Sequence, residues 1–435
     1  MPIALQSLIG SSLAFVDNLM VGTLGEKELS AVGVGIQPFF IFWMVTFGFV
    51  SGTAAFMSQF FGNKDMANIK KTLGFAICVS MSIGIAFFIV CMFFPGVIVN
   101  IFTDIEEIKP LAIEYIQIGA PCFLFLAVTV PLTFCLRSTQ QAKIPLFTSS
   151  FAFCMNTLFN YILIFGNFGA PRLEVAGAAM ATIIARSLEL ALVLFVIFYK
   201  KNIISGGIKE YFGWKKGFSG RIFGVAVPTT LNETLWGVGF AMYTAAYARV
   251  GVTAFAAVQM ARAIEHIFIM AAFSIGDAAL ILVGQRFGAG EPEYGFLLAK
   301  KLLKIGAAFG AVAGLALIAI AKPVISLYKE FTPEGAAYAF YILVIYGLFM
   351  GIVVFNGMSV TGVLRSGGDT KYAMFIDCGC VWLIGVPMAF FTTQWLGLPI
   401  HLAVLLVSTE EIVKFYALLR RFKSKKWVRN VIKNM

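Results

Sequence analysis

Four polar residues within apolar stretches have the types and spacing of a site for a proton or a hard cation. Asp17 is the acidic residue of a stretch that contains no Lys or Arg. Asn156 and Asn160 are four residues apart and so share one face of a helix, and Thr182 falls at a similar depth on the next stretch. A carboxylate, two amides and a hydroxyl supply oxygen ligands of the kind such ions prefer. We predict a proton or sodium site at these four residues. Interhelical hydrogen bonding by the asparagines and the threonine is the alternative.

A second acidic position lies in the apolar stretch near residues 221–248. Glu233 follows Asn232 there and is expected near the middle of the span. An isolated carboxylate in a low-dielectric interior attracts cations strongly or takes up a proton. We therefore predict a substrate site or second proton site at Glu233, Asn232 and Tyr243.

The next stretch contains a charged triplet with helical spacing. Arg262 is followed by Glu265 at i+3 and His266 at i+4, so the first interpretation is an internal ion pair that neutralises its own cost. A role in gating or proton relay is the alternative. Two further pairs with such spacing are predicted to be structural: Arg186 with Glu189, and Glu410 with Lys414.

The composition that surrounds these residues is that of an all-α integral membrane protein. Of 435 residues, 60% are hydrophobic and 13% charged, against roughly 25% charged in soluble domains. A bilayer-spanning helix needs about 20 apolar residues. The apolar stretches predict twelve transmembrane helices, near residues 1–22, 31–60, 72–98, 110–136, 143–166, 174–199, 221–248, 254–286, 300–325, 336–364, 371–393 and 399–420.

The basic residues indicate orientation rather than a nucleic-acid partner. The net charge is +11. Of the 33 Lys and Arg residues, 24 lie in the tail or in the loops that follow predicted helices two, four, six, eight and ten, and six lie in the loops that follow the odd-numbered helices. Because cytoplasmic loops are enriched in Lys and Arg, we predict a plasma-membrane protein with both termini in the cytoplasm. All seven cysteines lie in apolar stretches, so no metal or redox role is predicted for them.

The chain also repeats itself. An offset of 226 residues maps Pro2 onto Pro228 and Gln59 onto Gln285, and an offset of 228 maps Arg137 onto Arg365. Six helices per copy give both copies the same orientation, related by a pseudo-twofold axis along the membrane normal. We predict a lobe at 1–199, a cytoplasmic linker at 200–220, a second lobe at 221–420 and a basic tail at 421–435. A substrate cavity is expected among helices one, two, seven and eight. Pro2 has only one residue before it, so helix one is expected to lack its first turns.

Six motifs resemble the multidrug and toxic compound extrusion family, over essentially the whole chain. They are individually weak and specific in this order. The motifs are VDNLMVGTLG (16–25), QFFG (59–62), NYILIFG (160–166), GAAMAT (177–182), GQRFGAG (284–290) and LRSGGDT (364–370).

The resemblance implies twelve helices in two lobes and export of organic, often cationic compounds in exchange for protons or sodium. It also implies a functional aspartate at Asp17, with polar partners at Asn156, Asn160 and Thr182. Many members have a second aspartate at the position of Asn160. Others have an aspartate in helix ten, where this chain has Asn356, so coupling in the second lobe would fall to Glu233.

We therefore predict a monomeric secondary active antiporter with no cofactor, whose partners are small organic substrates and membrane lipids. Flipping of a lipid-linked saccharide precursor is the alternative, although such flippases commonly have fourteen helices and a cationic cavity. The sequence contains no phosphate-binding loop, nucleophile or paired acid site, so neither an ATP-driven pump nor an enzyme is predicted.

Overall fold

The computed structural model describes residues 2–214, 217–326, 331–433 and 435, with the side chains of residues 4, 7, 8, 11, 13–15, 271 and 272 left aside. Helices dominate this part of the chain, and it contains no strand. Lys215 and Lys216 of the predicted linker, and Asn434 of the predicted tail, lie outside the described residues.

The chain forms two compact units. The first comprises Met1–Met57 and Asp65–Ile222, and the second comprises Ser58–Lys64 and Phe223–Met435. The helices that begin before residue 215 are α1 (Pro2–Gly22), α2 (Glu26–Gly35), α3 (Gln37–Gly62), α4 (Met66–Phe93), α5 (Pro95–Phe102), α6 (Lys109–Gly119), α7 (Cys122–Ser138), α8 (Lys143–Phe165), α9 (Glu174–Tyr199) and α10 (Ile208–Phe212).

The remaining helices belong mainly to the second unit. They are α11 (Phe218–Ala248), α12 (Val252–Gly288), α13 (Pro292–Ile325), α14 (Pro333–Gly357), α15 (Thr370–Cys380), α16 (Val386–Phe390), α17 (Ile400–Ser408) and α18 (Glu410–Lys423). Three segments wind as wider π-helices: Met358–Leu364 after α14, Val381–Gly385 before α16 and Phe391–Trp395 after it.

All twelve predicted spans are helical, and the predicted all-α membrane fold is confirmed. Among the described residues, eight helices are long and apolar enough to cross a membrane, and α6 with α7, bent by 50°, makes a ninth. The other predicted spans correspond to α1, α11, and α17 with α18. Of these, α17 and α18 are 9 and 14 residues long, so neither is long enough alone to cross a membrane.

The linker packs against the first turns of α4. The Trp214 indole donates to the Lys71 carbonyl at 2.8 Å, and the Lys70 ammonium donates to Glu210 at 2.7 Å. This hydrogen bond holds the pKa of Glu210 below its usual value. The linker is therefore attached to the first unit by specific contacts.

The tail predicted at 421–435 folds into the second unit. The Trp427 side chain is fully buried. The Gln59 amide nitrogen donates to the Ser366 carbonyl at 2.8 Å and the Arg429 carbonyl at 3.1 Å, while its oxygen accepts from the Val431 N–H at 2.8 Å. The end of α3 and the end of the chain are thus joined through one buried side chain.

Candidate functional site

The four residues of the predicted ion site form one chain of hydrogen bonds in the first unit. The Asn160 amide nitrogen donates to the Asp17 carboxylate at 2.5 Å and to the Asn156 oxygen at 3.1 Å. The Asn156 amide nitrogen in turn donates to the Thr182 hydroxyl at 3.4 Å. Helices α1, α8 and α9 each supply part of the site.

The register of α8 and its close approach to α9 create this geometry. Asn156 and Asn160, at i and i+4, lie on the buried face of α8. Gly177 lets α9 approach closely, since a Cβ there would lie 2.7 Å from the backbone carbon and oxygen of Leu163. Between these helices Gly166 adopts φ 74°, a left-handed conformation that favours glycine, and ends α8. The close helix contact brings Thr182 within reach of the asparagines.

One oxygen in the site lacks a partner. Asn160 is 0% exposed, and its Oδ1 accepts no hydrogen bond from the described residues. A buried amide oxygen without a donor is costly, and here it belongs to the amide that binds the Asp17 carboxylate. The donor set of carboxylate, amide oxygen and hydroxyl therefore fits a proton or a sodium ion. In the described part of the chain, no group of three or more His, Cys, Asp or Glu side chains is arranged to hold a metal.

A second polar network lies farther along α9. Arg186 donates to Glu189 at 2.8 Å, which confirms the predicted pair. The Ser149 hydroxyl also donates to Glu189 at 2.8 Å, Gln6 donates to Ser149 at 3.0 Å, and Arg137 donates to Gln6 at 2.7 Å. Sequence reasoning missed Gln6 and placed Arg137 in a loop. The signal in the sequence was the polar Gln6 side chain within a predicted membrane span.

Glu233 in the second unit is not the lone carboxylate predicted from the sequence. The guanidinium of Arg365, itself 1% exposed, donates to it at 2.7 Å. The prediction placed Arg365 in a cytoplasmic loop, whereas the long side chain reaches a buried position beside α11. The local charge at Glu233 is thereby neutralised.

Asn232 and Tyr243 do not join Glu233 in a single site. The Asn232 amide donates to Asp377 at 3.1 Å, and the Tyr243 hydroxyl donates to Glu410 at 2.8 Å. Glu233, Asn232 and Tyr243 therefore each face a different partner, and their side chains mark separate positions along α11.

The predicted pair of Glu410 with Lys414 is wrong. Lys414 lies 3.0 Å from Asp377 and 2.9 Å from Glu411, and no described ion pair joins it to Glu410. Glu410 is turned toward Tyr243 instead. Asn356 donates to the Glu411 carboxylate at 2.7 Å.

The direct pair predicted between Arg262 and Glu265 is also absent from the described ion pairs. Arg262 donates to the Thr244 hydroxyl at 2.9 Å and lies over the rings of Phe240 and Tyr247. Glu265 interacts with Arg262 only at longer range. His266 is exposed. A guanidinium that stacks on two rings is stabilised without a contact carboxylate, which explains why the helical spacing did not produce the pair.

The comparisons with known proteins agree with the repeat and the fold. A family model described as MatE matches residues 2–162 and 228–391, two segments that begin 226 residues apart. The probable multidrug resistance protein NorM of Thermotoga maritima is 24% identical over 98% of this chain and 90% of its own length. The multidrug resistance protein MdtK of Edwardsiella ictaluri is 23% identical over 89% of this chain and 85% of its own.

Solved structures give the same fold. A crystal structure of MATE in the bent conformation has a TM-score of 0.86 at 18% identity, with 98% of this chain and 94% of that chain covered. The Vibrio cholerae MATE transporter VcmN in the bent form has a TM-score of 0.85 at 18% identity, with 99% and 96% covered. Since the family model spans most of the sequence, the chain belongs to the MatE family, a family of membrane transporters and not of enzymes.

Proposed function

We propose that the protein is a secondary active antiporter that exports small organic, often cationic compounds in exchange for protons or sodium ions. The observation that carries the proposal is the hydrogen-bonded chain from Asp17 to Thr182 within a MatE family member. The names of the relatives, which describe multidrug resistance proteins, support the same class of substrate.

The charge on Asp17 is available to an incoming ion. Arg186 interacts with Asp17 electrostatically, but its guanidinium is hydrogen-bonded to Glu189. The Asn160 amide stabilises the ionised carboxylate without cancelling its charge. A proton or sodium ion that reaches Asp17 from the outside discharges it, and the unpartnered Asn160 oxygen offers an additional ligand to sodium.

Discharge of Asp17 links ion entry to substrate release. The amide donors hold α1 against α8 most strongly when the carboxylate is charged, since hydrogen bonds to charged groups are the stronger ones. A bound ion weakens that attachment and lets α1 repack, which favours a state with less space for substrate. An ion that moves through about 100 mV supplies about 2.3 kcal/mol per charge. That energy sustains a substrate gradient of about 40-fold, at 1.4 kcal/mol per tenfold.

The proposal includes the oligomeric state, the membrane location and the partners of the protein. The protein would act as a monomer in the plasma membrane, with both termini in the cytoplasm, among lipids and without a cofactor. Its basic residues serve orientation, so no nucleic-acid partner is proposed.

The test is transport in proteoliposomes with an imposed pH gradient or an imposed sodium gradient, with ethidium as the organic cation. Asp17→Asn keeps the size of the side chain and removes its titration, so gradient-driven accumulation should be lost while the protein stays folded. Asp104→Asn removes the same charge from an exposed loop and serves as the matched control. Ethidium accumulation by Asp17→Asn at the wild-type rate would refute the assignment of Asp17.

A further inference from the structure

Three carboxylates lie near one ammonium in the second unit, and two of them contact it. Lys414 lies 3.0 Å from Asp377 and 2.9 Å from Glu411, and Glu410 precedes Glu411 on α18. Glu410 and Lys414 are 4% and 2% exposed. If all three acids were ionised, this buried group would hold two more negative than positive charges.

The partners are distributed unequally among the three acids. Asp377 is bound by Lys414 and by the Asn232 amide, and Glu411 is bound by Lys414 and by the Asn356 amide. Among the described residues, the hydrogen bond to the Glu410 side chain comes from the neutral hydroxyl of Tyr243. Lys414 interacts with Glu410 only at longer range, whereas it contacts the other two acids directly. Glu410 is therefore the acid with the least compensation for a negative charge.

The helices packed around the group do not restore the balance. Five carboxylates and three cationic side chains are linked here by contacts or by electrostatic interactions, and Asp277 of α12 is a sixth acid that interacts with Glu233. The acids are Glu233 of α11, Glu265 of α12, Asp377 of α15, and Glu410 and Glu411 of α18, and the cations are Arg262 of α12, Arg365 after the π-helix Met358–Leu364, and Lys414 of α18. The Tyr and Cys side chains that interact with these groups never carry a positive charge, so they add no compensation: Tyr243, Tyr247, Tyr346, Cys378 and Cys380.

A buried, uncompensated charge costs several kcal/mol, and a carboxylate in that setting is neutralised by a proton. We propose that Glu410 carries a proton at neutral pH, and that Glu410 with Tyr243 forms a second proton-binding site, located in the second unit. The site goes beyond the proposed function, which places the coupling ion at Asp17, and it does not depend on that assignment.

The backbone beside Tyr243 and Glu410 leaves space for their side chains. Gly385 ends the π-helix Val381–Gly385, and a Cβ at this position would collide with both the Tyr243 hydroxyl and the Glu410 carboxyl. π-Helical turns inside α-helices are frequent at functional sites. A wider turn and a glycine together leave room for the pair.

Release of the proton would change the partners of Lys414. An ionised Glu410 lies four residues before Lys414 on the same helix, so it draws the ammonium toward itself. The bond from Lys414 to Asp377, which joins α18 to α15, weakens as a result. The proton occupancy of Glu410 is in this way linked to the packing of two helices of the second unit.

Infrared spectroscopy of the purified full-length protein in lipid nanodiscs tests the proposal, because a protonated carboxyl has a carbonyl band that an ionised one lacks. At pH 7 in D2O, the wild type should show a carboxylic acid band that Glu410→Gln loses. Glu114→Gln, which changes an exposed acid, should keep the band. An acid band of equal area in wild type and Glu410→Gln overturns the proposal.

A second variant covers the case in which Glu410→Gln does not fold. Tyr243→Phe removes the hydrogen bond to the carboxyl and leaves the acid in place. If Glu410 is protonated, its acid band moves to higher frequency in this variant; an unchanged acid band overturns the proposal. Because Asp17 is intact in both variants, failure here is distinguishable from failure of the antiport mechanism.

Discussion

Replacement of Asn160 by Leu is the sharpest test of the ion site proposed in the first unit. The substitution keeps the approximate size of the side chain and removes the amide that donates to Asp17 at 2.5 Å and to Asn156 at 3.1 Å. It also removes the buried Oδ1 that has no hydrogen-bond partner among the described residues. The loss of the donor is expected to affect coupling to protons, and the loss of the oxygen is expected to affect coupling to sodium.

The magnitude follows from the bond to Asp17. A hydrogen bond to a charged group contributes about 1.5 to 3 kcal/mol, so Asn160→Leu disfavours the ionised carboxylate by that amount relative to its protonated form. At 1.36 kcal/mol per pH unit, the pH of half-maximal transport should rise by about one to two units if the coupling ion is a proton. If the ion is sodium, loss of the amide oxygen should instead weaken apparent sodium affinity by about tenfold or more.

The assay is ethidium transport by proteoliposomes over a range of external pH at fixed sodium, and over a range of sodium at fixed pH. Thr157→Val is the matched control, because Thr157 lies on the same helix and its hydroxyl donates within that helix to the Phe153 carbonyl at 3.0 Å. The control should keep both profiles. Wild-type pH and sodium profiles in a folded Asn160→Leu protein would refute the role assigned to the amide.

Three further outcomes are expected. Glu233→Gln leaves the buried guanidinium of Arg365 without its carboxylate and should lower the free energy of unfolding by about 3 to 5 kcal/mol. Chemical denaturation in detergent measures this loss. The double variant Glu233→Gln with Arg365→Met should recover most of it. Trp427→Ala should cost about 3 to 5 kcal/mol in the same assay, because the side chain is fully buried; a loss below about 1 kcal/mol would contradict the packing of the tail. Gly385→Ala should break the contact of Tyr243 with Glu410 and lower the thermal unfolding temperature, whereas Gly379→Ala, where a Cβ meets open space, should not.

The residues of the first-unit site could be found from the sequence because each obeys a local rule. Asp17 lies in an apolar stretch without a basic residue. The free-energy cost of placing an acidic side chain in the membrane makes it a candidate functional residue. Asn156 and Asn160 share a helical face by spacing alone. Identifying Thr182 required an estimate of its depth in the membrane relative to the asparagines. The repeat and the short loops between the spans provide that estimate. Their bonding order, with Asn160 between Asp17 and Asn156, required coordinates.

The second-unit network could not be derived in the same way, because its partners are distant in sequence and have long side chains. Arg365 is 132 residues from Glu233 and lies at the end of its span, where the chain pattern indicates a loop. Lys414 had two acids within one helical turn, and local spacing could not decide between Glu410 and Glu411. The tertiary contacts determine the partner of Lys414: Glu410 binds Tyr243, and Lys414 binds Asp377. π-Helical turns, which change the register, have no reliable sequence signal here.

The bonds of Gln59 have a consequence for the order of synthesis. Its partners Ser366, Arg429 and Val431 lie 307, 370 and 372 residues later in the chain. A ribosome adds roughly 5 to 20 residues per second, so Gln59 waits about 20 to 75 s for the last of them. Its amide, fully buried in the folded protein, lacks these partners through that interval. The second unit therefore cannot reach its final packing before Val431 has been synthesised, and a ribosome stalled a few codons before Trp427 leaves it incomplete.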